Sequence, residues 1–130
     1  MTLRKSLLFA LALLQGCASM DAGDGEPYAE RIRQAGDAYT TCVAREAEKG
    51  TNMAAGAEDI AIAAQGRCWS QWEAYRDIVR RGFTADASTP EEKQLAQDKA
   101  EAHLRQFERE TRVTTMSGIV ERTLTRKSDR

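Results

Sequence analysis

The chain has 130 residues, which is enough for one domain. Charged residues make up 30% of it and aromatic residues only 6%, which excludes a polytopic membrane protein and disfavours an aromatic-lined cofactor cavity. Because 19 Lys and Arg face 20 Asp and Glu, the net charge is -1, without the strongly basic field of a nucleic-acid-binding protein. We therefore expect a small protein with no cofactor and no nucleic-acid partner.

The N-terminus has the pattern of an export signal. Arg4 and Lys5 precede the apolar run Leu7–Leu14, which is too short to span a bilayer and is typical of the hydrophobic region of a signal peptide. The run leads into Leu14-Gln15-Gly16-Cys17, which resembles the lipobox of bacterial lipoproteins. This resemblance covers the first 17 residues, and the rest of the chain resembles no family that we recognise.

The resemblance implies that residues 1–16 are a signal peptide removed after Gly16, and that Cys17 then carries diacylglycerol and an N-acyl group. Several acyl chains anchor a protein stably, whereas one chain does not. Ala18, in place of Asp, implies sorting to the outer membrane, on the side that faces the periplasm. The alternative is an ordinary cleaved signal that leaves Cys17 as a free thiol.

A Gly- and Asp-rich segment over residues 17–26 predicts a flexible tether with a reach of roughly 25–30 Å. The helical domain is expected over residues 27–130. Its first helix begins at Pro27 and ends at Gly50, a plausible C-terminal stop. One narrow apolar stripe marks this helix, formed by Tyr28, Ile32, Ala35, Tyr39, Cys42 and Val43.

The second predicted helix runs from Ala57 to about Gly82, and Glu58 and Asp59 suit the positive end of its dipole. Its apolar stripe consists of Ala57, Ala61, Ala64, Cys68, Trp72, Tyr75 and Val79. The third helix starts at a clear signal, in which Thr89 is the N-cap, Pro90 takes the first position and Glu92 completes a capping box.

We expect the third helix to run from Pro90 to about Arg112, with an extension to Leu124 left open. The β-branched run Val113-Thr114-Thr115 coincides with a change of the apolar face, which predicts a kink or a break there. No strand-like alternation extends over more than a few residues. The sequence thus predicts an all-α fold, a small three-helix bundle built on an antiparallel helical hairpin.

Cys42 and Cys68 are predicted to form a disulfide bond, because the chain is expected to be exported to an oxidising compartment. Their midpoint falls in the connection between the first two helices, so both lie at matching heights of the hairpin. The hairpin is therefore expected to be disulfide-stapled. A redox-active pair is the alternative, but the chain has no Cys-x-x-Cys motif. The spacing likewise gives no reason for His103 to join the cysteines at a metal site, so no metal is expected.

Trp69 is the best candidate for a partner-binding residue, together with Ile62, which shares its side of the second helix. The alternative for Trp69, which the pattern favours, is packing beneath the third helix. Trp72 and Tyr75 flank Cys68 on the apolar stripe and are expected in the core. His103, the only histidine, has no nucleophile placed beside it by any recognisable motif, so no catalytic residue is assigned.

The leading hypothesis is a small lipid-anchored binding or accessory protein, at the periplasmic face of the outer membrane. Its partners are the membrane, through the anchor, and an envelope protein or peptidoglycan. One alternative is an inhibitor of an envelope-directed hydrolase, and a second is an enzyme with an unrecognised site. The basic tail around Arg122, Arg126, Lys127 and Arg130 has two interpretations, an anion-binding segment or a soluble helix end.

Overall fold

A computed structural model of the chain describes residues 26–129. These residues form four α-helices and no strand, and their bounds are α1 Tyr28–Gly50, α2 Ala57–Arg67, α3 Trp69–Thr84 and α4 Pro90–Ser128. The all-α prediction is confirmed. The signal peptide predicted over residues 1–16, the lipidated Cys17 and most of the tether lie outside the described residues. None of the four helices is both long enough and apolar enough to cross a bilayer.

The second predicted helix is interrupted at Cys68, a feature that the sequence analysis missed. Cys68 has φ -98° and ψ 25°, and its amide donates to the carbonyls of both Ala64 and Gln65, at 3.2 and 3.1 Å. The helix resumes at Trp69. The described residues therefore form four helices where three were predicted. Both α2 and α3 pack against α1 and α4, and we call the two together the broken rod.

Contacts along the hairpin show that α1 runs antiparallel to this broken rod. Gly50, at the end of α1, lies against Ile60 in α2, and Gly36, near the middle, lies against Tyr75 in α3. Between these contacts the Cys42–Cys68 disulfide joins the two rods, with a Cα–Cα distance of 5.9 Å. The predicted disulfide is confirmed, and it crosses the hairpin at the α2–α3 interruption.

Aromatic rings connect the two halves of the core. The core beside the disulfide contains Tyr39, Val43, Ala61 and Ala64, and the core beyond it contains Tyr75, Val79, Ala100 and Leu104. Trp72 and Phe107 pack against both halves. The Phe107 ring lies 4.3 Å from that of Tyr75, and the Trp72 ring lies 5.2 Å from that of Tyr39, measured between centroids. The predicted core positions of Trp72 and Tyr75 are confirmed.

Helix α4 begins as predicted but does not break. The Thr89 hydroxyl accepts from the Glu92 amide at 3.2 Å, and the Glu92 carboxylate accepts from the Thr89 amide at 3.1 Å. The helix then continues through Val113, Thr114 and Thr115 to Ser128. The predicted break is therefore wrong. β-branched residues cost a helix less than about 0.7 kcal/mol each, and burial of Thr111 and Ile119 on either side holds the helix against the bundle. The Thr115 hydroxyl donates within the helix to the Thr111 carbonyl at 2.7 Å.

Candidate functional site

Trp69 and Ile62 lie on the surface of the bundle. The exposed fraction is 56% for Trp69 and 47% for Ile62, so the expectation that Trp69 packs beneath the third helix is wrong. Trp69 is the first residue of α3, and Ile62 lies about two turns earlier, on α2, so both project to the same side of the broken rod. Large apolar side chains that stay exposed next to a groove are the kind that anchor protein partners.

A shallow groove of about 170 Å³ separates these two side chains from α4, and we call it the Trp69 groove. Its lining consists of Tyr39, Ile62, Gln65, Gly66, Trp69, Trp72, Glu108 and Arg112. The space beside Gly66 is open, since a Cβ at this position would find no atom within 4 Å. The volume is below the 300–1,000 Å³ typical of small-molecule sites, so the groove suits a single inserted side chain.

A hydrogen-bonded network forms the polar wall of the Trp69 groove. The side-chain Nε2 of Gln65 donates to the backbone carbonyl of Glu108 at 3.2 Å. The side-chain Oε1 of Gln65 accepts from the Arg112 guanidinium at 2.9 Å. Arg112 also pairs with the Glu108 carboxylate at 3.4 Å. Because Gln65 is buried and spans from α2 to α4, this network fixes the width of the groove. The sequence analysis missed it, since an isolated glutamine gives no signal of a long-range contact.

The guanidinium of Arg76, on the same helix, lies against the Trp69 ring. The Arg76 guanidinium lies 5.8 Å from the ring centroid, in cation–π range, and it also pairs with Glu73 at 2.5 Å. The phenol of Tyr39 closes the floor of the groove, and burial raises its pKa above the usual value. The groove therefore presents an aromatic edge, an uncharged floor and a wall of paired charges.

His103 occupies a separate position between α3 and α4. Its Nε2 atom lies 2.8 Å from the Tyr75 hydroxyl, and its ring packs against that of Phe83 at a centroid distance of 5.5 Å. Burial raises the pKa of Tyr75 to about 12, so the phenol is a neutral hydrogen-bonding partner. Within residues 26–129, no group of three or more His, Cys, Asp and Glu side chains is arranged to hold a metal ion.

A second and larger groove lies between α1 and α4, with a volume of about 580 Å³. Threonines and small residues line it, among them Thr40, Thr41, Ala44, Thr115 and Gly118. This groove was not predicted from the sequence, because small side chains usually let two helices pack closely and leave a groove only where the helices diverge. The hydroxyls of Thr40 and Thr115 donate hydrogen bonds to backbone carbonyls of their own helices, at 3.1 and 2.7 Å. These two hydroxyl donors therefore already have partners within the protein.

The basic tail is the last part of α4, and two of its arginines contact the end of α1 and the connection after it. Arg122 pairs with Glu48 at 3.0 Å, and Arg126 donates to the Asn52 side chain at 2.9 Å. These contacts favour a structural role for the two arginines, whereas Arg130 lies outside the described residues. Comparison of this chain with family models, with curated protein sequences and with solved structures finds no match.

Proposed function

We propose that this protein is a lipid-anchored binding protein of the bacterial cell envelope, held on the periplasmic face of the outer membrane through Cys17. In this proposal the Trp69 groove receives an apolar side chain of an envelope protein. The observation that carries the binding role is the exposure of Trp69 and Ile62 on the rim of a groove whose width is fixed by the Gln65 network.

The size and composition of the groove support a protein partner over peptidoglycan. A glycan strand is bound in an extended polar cleft, whereas the Trp69 groove is short and its rim is apolar. Around it, the charges of Arg112 and Arg76 are already paired with Glu108 and Glu73. Such paired charges form a polar rim that adds specificity around a central apolar anchor.

The anchor is tested by Cys17→Ser in the full chain expressed in bacteria. We expect the native chain to incorporate labelled fatty acid and to partition with membranes, and the variant to lose both. The variant keeps Cys42 and Cys68, so its disulfide is the internal control for export. Unchanged labelling and partitioning of the variant would show that the anchor assignment is wrong.

The binding surface is tested by a photo-activatable side chain at position 62 in intact cells. The matched control carries the same group at Leu95 on α4, where the native side chain is 56% exposed, against 47% for Ile62. We expect a defined adduct from position 62 that is absent from position 95, and that disappears when Trp69→Ala is added. An adduct that persists in the Trp69→Ala background would argue against the groove as the binding surface.

A further inference from the structure

The second half of α4 carries a row of exposed apolar side chains, and the last two of them, Val120 and Leu124, also border a groove of about 290 Å³ against the connection between α1 and α2. The exposed fractions are 63% for Val113, 49% for Val120 and 62% for Leu124. Ser117 lies between them, and the spacings of four, three and four residues place all four within an arc of about 60°. We call these four residues the α4 stripe. Their spacing is that of the a and d positions that face a partner helix in a coiled coil, here over less than two heptads.

A charged residue of opposite sign continues the α4 stripe at each end. Glu110 lies three residues before Val113, and Lys127 lies three residues after Leu124, and both are exposed. Glu110 accepts a hydrogen bond from Gln106 of the same helix at 2.8 Å. Lys127 forms no ion pair with any residue between 26 and 129. The seam of the stripe therefore ends on an acidic residue at one end and on a basic residue at the other, with the exposed Arg109 flanking Glu110.

We infer that the α4 stripe is a homodimer interface, in which two copies of this chain pair through antiparallel α4 helices. In one register, Glu110 of one copy meets Lys127 of the other, Val113 meets Leu124, and Ser117 meets Val120. By symmetry each contact occurs twice. A parallel pair would instead place Glu110 against Glu110 and Lys127 against Lys127, so the charges select the antiparallel arrangement.

The centre of the stripe is suited to burial against another copy. The Ser117 hydroxyl donates to the Val113 carbonyl at 3.0 Å, so its polar group is satisfied when water is excluded. A membrane surface fits the stripe less well. The stripe is bordered by residues of both signs, Glu110 and Glu121 on one side and Arg109 and Lys127 on the other, whereas helices that lie on anionic membranes carry mostly Lys and Arg at their borders.

Charge reversal distinguishes this dimer from every other use of the stripe. The full chain is purified in a mild detergent, and the mass of its protein component is measured by light scattering across a dilution series. We expect a dimer for the native chain, and about a tenfold weaker dimer for Glu110→Lys or Lys127→Glu alone, because each change creates two repulsive contacts. The double variant restores the opposite pairing, so we expect it to dimerise like the native chain.

Lys99→Glu is the matched control, since Lys99 is exposed on α4 but lies outside the overlap of the two helices. Circular dichroism of every variant shows whether the exposed substitutions leave the helices intact. A native chain that is monomeric at all concentrations overturns the inference. So does a double variant that stays as weak as the single ones, or single variants that change binding to anionic vesicles and not the mass. The measured mass is independent of the Trp69 groove, so the binding proposal stands or fails separately.

Discussion

Removal of the Cys42–Cys68 disulfide tests how much the cross-link contributes to the stability of the hairpin. The bond joins residues 26 positions apart, and both cysteines are buried, at 6% and 0% exposure. Cross-linking a loop of this length lowers the entropy of the unfolded chain by about 12 cal/mol/K in the chain-entropy model, or about 3.5 kcal/mol at 25 °C. A small bundle with an alanine-rich core has few other contributions of this size.

The appropriate variant is Cys42→Ala with Cys68→Ala. Alanine is preferred over serine because two buried hydroxyls without partners would add a cost unrelated to the cross-link. We expect a loss of about 3–4 kcal/mol in the free energy of unfolding, and a melting temperature lower by about 12–30 °C for a domain of this size. The measurement is urea unfolding of the full chain, followed by circular dichroism.

Reduction of the native chain provides the control. Because both sulfur atoms are buried, reductant without denaturant should act slowly, whereas reduction of the unfolded chain should give the same refolded stability as the double alanine variant. If the variant unfolds within about 1 kcal/mol of the native chain, the loop-closure argument fails for this protein. The hairpin would then be held by its side-chain contacts alone.

Two further predictions concern α1 and α4. Gly50→Ala should lower the free energy of unfolding by about 1–3 kcal/mol, because the new Cβ would lie 2.7 Å from Cγ2 of the buried Ile60. The control Gly118→Ala should raise the free energy of unfolding by about 0.5–1 kcal/mol, since no atom lies within 4 Å of the new Cβ. Urea unfolding checks both, and equal effects would contradict the close approach. Hydrogen bonds from the backbone amides of Ser88 and Thr89 lower the pKa of the Glu92 carboxyl in the folded protein. The ionised Glu92 therefore stabilises the fold fully above about pH 4.5, and this contribution is lost as the pH falls through the pKa of Glu92 in the folded state. Glu92→Gln should therefore make the fall in stability between about pH 6 and pH 3 shallower, and an unchanged slope would refute this.

The sequence predicted those features that depend on residues at fixed spacing along the chain. The Thr89 capping box and the matching heights of Cys42 and Cys68 depend on spacing alone, and the structure confirms both. The interruption at Cys68 could not be predicted, because a one-residue distortion leaves the apolar periodicity of α2 and α3 in phase. The disulfide at the same residue was predictable from spacing, but nothing in that spacing shows that the helix breaks where the bond forms.

Exposure was the property that the sequence specified least. Trp69 follows Cys68 directly and looks like a core residue by its type, but it lies about 100° from the apolar stripe of Cys68 and its ring stays 56% exposed. The apolar Val113, taken with Thr114 and Thr115 as a sign of a break in α4, instead lies on an exposed face of a continuous helix. Both errors have one origin, since residue type records apolar character and not which neighbouring helix is present to cover it.

The two proposed surfaces are compatible because they lie on different sides of α4. Arg112 and Glu108 face α2 and line the Trp69 groove, whereas Val113 points about 100° away, toward the stripe. An antiparallel dimer would therefore leave the Trp69 groove of each copy open. In the proposed lipoprotein it would also carry two lipid anchors, one on the Cys17 of each copy. Two linked sites raise the retention of a repeated or membrane-bound partner without any new contact, provided that both can be occupied at once. On this argument the dimer contributes avidity to binding, so a groove of modest affinity is sufficient for the proposed role.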